Sequence, residues 1–133
     1  SAGNEQPWQF VVLKERRLLD KIPEFHPYSL MLREAPVAIL VCGQPKIAKY
    51  DGLYWVQDCA AATENILLAA QTKGLGSVWL GVHPIEERVA GLRQLLGLPE
   101  EIVPFSLVPI GHPAEQKPPA GRYDAARVHH DRW

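Results

Sequence analysis

The sequence predicts an α/β fold, an α+β sandwich in which short strands alternate with helices within one domain. Three observations lead there. Short apolar runs, Trp8–Leu13 and Val37–Cys42 among them, are bounded by Pro or Gly, as strands are. Between them lie stretches of helical composition, the longest being Leu53–Lys73, which contains neither Pro nor Gly. A chain of 133 residues, 47% hydrophobic and 22% charged, has the size and composition of one ordinary globular core.

Trp8–Leu13 is aromatic and β-branched and follows Pro7, so a buried strand is expected. Glu15–Ile22 should be helical and must stop before Pro23. Pro23–Pro27 is a loop, and Tyr28–Ala35 reads as a short helix ended by Pro36. The continuous apolar run Val37–Cys42, closed by Gly43 and Pro45, fits a strand covered on both faces. Lys46–Asp51 is loop or a short turn of helix.

The strongest expectation is the helix Leu53–Lys73, with Asp51 as N-cap and Gly74 just past its C-terminus. Trp55, Cys59, Ala62, Ile66 and Ala69 form one stripe at steps of three and four, but Ala60, Ala61, Leu67, Leu68 and Ala70 make the other faces apolar as well. A helix apolar nearly all round is too much for one small domain to cover, so part of it is expected at a subunit interface. Ser77–Leu80 reads as a strand between glycines. Pro84 opens a further helix with Glu86 and Glu87 in its first turn; Ile85, Val89, Leu92, Leu95 and Leu96 are its stripe and Gly97 its end. Phe105–Ile110 is a last strand, in which Pro109 points to an edge position or to the strand's end. From Gly111 onward the composition turns to Pro, Gly and charge, so residues 112–133 are expected as an extended tail.

A net charge of -1 with no cluster of Lys or Arg argues against nucleic-acid binding. No apolar stretch approaches the roughly 20 residues of a membrane helix. The two cysteines, Cys42 and Cys59, fall in apolar contexts and read as buried thiols, consistent with a reducing, cytoplasmic compartment. Gly74-x-Gly76 is half of a dinucleotide fingerprint in the wrong place, since it closes a helix instead of opening one. His26, His83, His112, His129 and His130 lack the spacing of a metal site, and no serine sits in a nucleophile elbow.

Four segments in order do carry a resemblance. They are Ser1-Ala2-Gly3-Asn4-x-Gln6-Pro7-Trp8, Gly74-Leu75-Gly76-Ser77-Val78-Trp79-Leu80-Gly81, Arg88–Glu100, and Gly111-His112-Pro113 with the later Arg122. Together they resemble the nitroreductase family, closest to its small single-domain members, including the branch with iodotyrosine deiodinase. The resemblance implies a central, mostly antiparallel sheet flanked by helices, in an intertwined homodimer that holds FMN at its interface. It also implies hydride transfer from NADH or NADPH through the flavin to a small organic acceptor, such as a nitroaromatic or a quinone, with no side-chain catalyst. By the same resemblance Ser1 and Asn4 contact the flavin, Trp79, Leu80 and Gly81 lie along its ring, and Arg122 holds its phosphate. The Gly81 N–H is then the donor near flavin N5 or O4. The family begins with an Arg-Ser-x-Arg segment and two helices to which nothing here corresponds, so Ser1 is expected to lie inside a longer domain. A non-catalytic flavin-binding protein, or a truncated remnant of the same fold, are the alternatives.

Overall fold

The computed structural model describes residues 1–133. Its centre is an antiparallel sheet built from β1 (Trp8–Leu13), β2 (Val37–Gly43) and β5 (Val103–Gly111), with two short strands, β3 (Gly76–Ser77) and β4 (Leu80–Gly81), along the far side of β5. Three helices flank it: α1 (Arg16–Lys21), α2 (Trp55–Thr72) and α3 (Glu86–Leu96). Strands and helices alternate as the sequence predicts.

The period-2 pattern of β2 divides the core. Ala38, Leu40 and Cys42 face α1 and α3, where they join Leu13, Leu19, Ile22, Leu32, Leu92 and Leu107 in the main cluster. Val41 faces α2 and meets Cys59 and Phe105 in a second, smaller one. A register shift at Val41/Cys42 pairs Val41 with Ser106 and Cys42 with Pro104, leaving Phe105 as the extra residue of a bulge. Both neighbours therefore reach the α2 side: Phe105 packs in the second cluster, and the Ser106 hydroxyl meets Thr63 Oγ1 at 2.8 Å.

β1 forms where expected but is not a buried strand: Leu13 alone is buried, and Phe10 and Val12 on the α2 side are exposed because this chain packs nothing over them. Three further expectations need correction. Tyr28–Ala35 is not an α-helix; only a 3-10 turn, Leu30–Arg33, forms between Pro27 and Pro36. Helix α2 starts at Trp55 with Tyr54 before it, because Tyr50 and Asp51 both take positive φ and Asp51 cannot reach the cap. Its buried residues are Asp58, Cys59, Thr63 and Ala70, whereas Ala69 of the expected stripe is exposed. Thr63 finds a hydrogen-bond partner inside, and Asp58 finds one for Oδ1, while its Oδ2 is buried without a partner.

The third correction concerns Pro109 and the strand opposite it. β5 is central, not an edge. The Val82 N–H donates to Phe105 O at 3.1 Å, so alternation along the ladder makes Leu80/Leu107 the next hydrogen-bonded pair and Val78/Pro109 the one after. Pro109 has no N–H to give there. The expected strand Ser77–Leu80 accordingly breaks into β3 and β4, with Val78 and Trp79 out of the ladder.

Past Gly111 the chain is exposed throughout, with one 3-10 turn at Ala125–Arg127. No helix is long and apolar enough to cross a membrane.

Candidate functional site

The same alternation defines Gly81. It pairs with Ser106 at a non-hydrogen-bonded position, so its N–H and C=O both turn away from β5. The carbonyl is taken: His26 Nε2 lies 3.0 Å from it and Arg88 Nη1 donates to it at 2.8 Å. The N–H has no partner within the chain's ladder or turns. A Cβ built on Gly81 would meet nothing within 4 Å, and φ is not left-handed, so the space in front of this backbone is open.

Leu80, just before it, sends its side chain into the main core, so only its backbone borders the open face. Trp79 packs edge-on to Phe105 with centroids 5.8 Å apart, and Phe105 meets Trp55 of α2 at 5.9 Å. Trp55 in turn lies 4.8 Å from the ring of His83. This row of rings ties the strand carrying Gly81 to the start of α2.

The N-terminal turn reaches the same end of α2. Asp58 Oδ1 accepts the Ala2 N–H at 2.8 Å. Ser1 Oγ accepts the Gln6 N–H at 2.9 Å, and Asn4 Oδ1 accepts from Gln6 Nε2 at 3.0 Å. Asn4 sits at φ 58°, a left-handed conformation that Asn tolerates well. Both side chains thus close a compact turn and leave the Asn4 amide nitrogen outward. Arg122 lies in the exposed tail, next to Gly121 at φ 54°. The single chain therefore brings Ser1 and Asn4 to one end of α2 and Trp79–Gly81 alongside it, but it holds Arg122 against neither.

Burial governs the ionisable groups nearby. Desolvation is the largest influence on His26 and lowers its pKa; the bond to Gly81 O opposes this and the Arg88 charge adds to it. His83 is lowered by desolvation alone. Desolvation also pushes the Cys42 and Cys59 thiols up to about 12, which makes them inert core groups.

A model of the nitroreductase family matches residues 26–112, the stretch that runs from His26 through Gly81 to the end of β5. The chain belongs to the nitroreductase family. The chain is 52% identical over 136 residues to an Archaeoglobus fulgidus protein named "Putative NADH dehydrogenase/NAD(P)H nitroreductase", covering all of this chain and 78% of that one. A solved structure of the same name from Bacteroides thetaiotaomicron superposes with a TM-score of 0.94 at 40% identity, over 100% of this chain and 77% of the other. At 26% identity, over 98% of this chain and 58% of the relative, it is also similar to a Bacillus subtilis protein named "FMN reductase [NAD(P)H]".

Three residues around this candidate site escape a reading of the sequence: His26, Arg88 and Asp58. His26 stands out there only as an isolated histidine, and Arg88 and Asp58 are ordinary charges on helices. Their roles depend on a carbonyl, Gly81 O, and an amide, Ala2 N–H, that lie 55 and 56 positions away along the chain from His26 and Asp58.

Proposed function

We propose that this protein binds FMN and passes a hydride from NADH or NADPH through it to a small organic acceptor such as a nitroaromatic or a quinone, working as a homodimer. The observation that carries this reading is the exposed Gly81 backbone: an N–H turned out of the ladder, without a partner, on a residue whose Cβ position is empty space. A flat ring lying along the strand needs close backbone approach, and a glycine leaves that face clear.

The residues present fit the cofactor. The Gly81 N–H would hold the polar edge of the ring, with the Trp79–Leu80 backbone beside it and the Ser1 and Asn4 turn at the end of α2. Arg122 would hold the phosphate with its planar fork of donors. When bound, FMN supplies the hydride chemistry, taking two electrons and a proton from the nicotinamide and giving them to the acceptor. The chain's part is to bind, to orient and to place a fixed donor where negative charge arrives.

Dimerisation accounts for what one chain leaves uncovered. Leu53 is 74% exposed, Leu68 55% and Val12 of β1 56%, all on the α2 side of the sheet, where the core cluster is small. The tail exposes Tyr123 and Trp133, the latter stacked only on His129 of the same tail. A second chain would cover these surfaces and bring a tail, with its Arg122, to the site.

The test is reconstitution. The protein is incubated with FMN, desalted and examined for the visible flavin band; NADH or NADPH is then added without oxygen, followed by menadione or nitrofurazone. Retained flavin that bleaches with the nicotinamide and recovers with the acceptor supports the proposal. Retained flavin that never bleaches points to a non-catalytic flavin protein, and a colourless product overturns the reading.

A further inference from the structure

We infer that His26 and Arg88 are positioning residues for the flavin reaction: they clamp the Gly81 carbonyl and offset its negative end, so that the neighbouring N–H governs what the site presents. The inference rests on the flavin reading above and adds to it two residues and a role for each.

The clamp is more than folding requires. Gly81 is exposed, so water would satisfy its carbonyl at little cost. Two protein donors converge on that oxygen instead, from separate elements: His26 from the loop after the 3-10 turn Ile22–Glu24, and Arg88 from α3. Because a carbonyl only accepts, His26 must carry its proton on Nε2. Nδ1 is then left as a buried acceptor without a partner, an arrangement that costs stability. The histidine is nevertheless fixed, with its N–H on Ile22 O at 3.0 Å and its carbonyl taking the Ser29 hydroxyl at 2.7 Å. Arg88 is steadied by the Tyr28 ring, 5.5 Å from its guanidinium carbon.

The electrostatic consequence is specific. At a non-hydrogen-bonded position N–H and C=O emerge on the same side of the strand. Left bare, the carbonyl would oppose electrons arriving at a ring held by the N–H. With both its lone pairs engaged, one by a cation, the opposition is reduced and the glycine loses the freedom to turn. A purely structural contact would support folding without changing how readily a bound flavin accepts electrons.

The experiment compares the whole protein with Arg88→Met, Arg88→Lys and His26→Gln, each with and without FMN. Arg88 is half-buried with its bond to Gly81 O at the exposed edge, so Arg88→Met keeps the long apolar stem, and thermal melting checks that it folds normally. The flavin midpoint potential is measured against reference dyes, the rate of reduction by NADH by stopped flow, and amide exchange at Gly81–His83 in the flavin-free protein. Arg88→Met should shift the potential to more negative values, slow reduction roughly tenfold and speed exchange severalfold. FMN affinity should change less than the reduction rate. Arg88→Lys should recover part of the potential, because it restores the charge but not the fork. His26→Gln should shift potential and exchange in the same direction as Arg88→Met. Bound FMN with an unchanged potential and unchanged exchange in Arg88→Met overturns this inference alone. Failure of the unmodified protein to bind FMN overturns the flavin reading and this inference with it.

Discussion

Gly43 ends β2 against the indole of Trp55, and replacing it with Ala tests the packing that aligns α2 with the sheet. A Cβ there would fall 2.7 Å from Trp55 Cζ3 and 3.2 Å from Cδ2, with Cε3 closer still. Ordinary carbon contacts begin near 3.5 Å, so the ring must move by about 1 Å or more. It has little room: His83 lies 4.8 Å from its centroid on one side and Phe105 5.9 Å on another. Overpacking of this kind costs about 1–3 kcal/mol, and the rigid surroundings place Gly43→Ala in the upper half of that range. For a domain of this size the melting temperature should fall by roughly 6–12 °C. Because Trp55 is the reporter, near-ultraviolet circular dichroism should change at low temperature as well as on melting. A melting temperature within 2 °C of the parent, with an unchanged aromatic signal, would refute the packing argument.

Other consequences follow from the buried polar and ionisable groups. Thr63→Val removes a hydroxyl that bonds Cys59 O at 2.7 Å and Ser106 Oγ at 2.8 Å, leaving the serine unsatisfied; urea unfolding should show a loss of about 1–3 kcal/mol. The Thr63→Val/Ser106→Ala pair should cost less than the sum of the two single changes, as a double-mutant cycle reads directly. Burial depresses His26 and His83 below their ordinary 6.5 in the fold, so on acidification the unfolded chain takes up protons first. Stability should be full above pH 6.5, decline as the pH falls below it, and level off once the folded imidazoles titrate; His26→Gln should flatten that decline in a melting series. Cys42 and Cys59, buried with thiols pushed up to about 12, should resist an aromatic disulfide reagent in the native protein and react at once in denaturant.

Much of the fold is legible in the sequence because it depends on patterns within a segment. The β2 run, the helix stop at Gly74 and the stop at Gly97 with φ 63° all follow from neighbouring residues alone. Gly74 ends α2 as expected, its N–H on Gln71 O and the Leu75 N–H on Ala70 O. What the sequence hides depends on partners far along the chain. The α2 stripe is misplaced by hydropathy because Asp58 and Thr63 go inward to Ala2 and Ser106, which no local pattern announces. Pro109 suggests an edge or an end, yet it sits in the central strand because its missing N–H faces the one stretch, Val78–Trp79, where the ladder breaks. The candidate site divides in the same way. Gly81 is visible in a motif, whereas the clamp on its carbonyl appears only once α3 and the loop at His26 fold onto the strand.

The central claim is that open backbone at Gly81 receives a flavin, and Gly81→Ala tests it most directly. The added methyl meets no atom of the chain within 4 Å, and the backbone there has no left-handed φ, so melting should be unchanged. It does, however, project from the opposite face to Leu80, the α2 side, where a ring laid along this backbone would lie. FMN titrated into both proteins and followed by quenching of its fluorescence should bind the parent and bind Gly81→Ala at least tenfold more weakly. Equal affinity, with both proteins equally stable, would contradict the account.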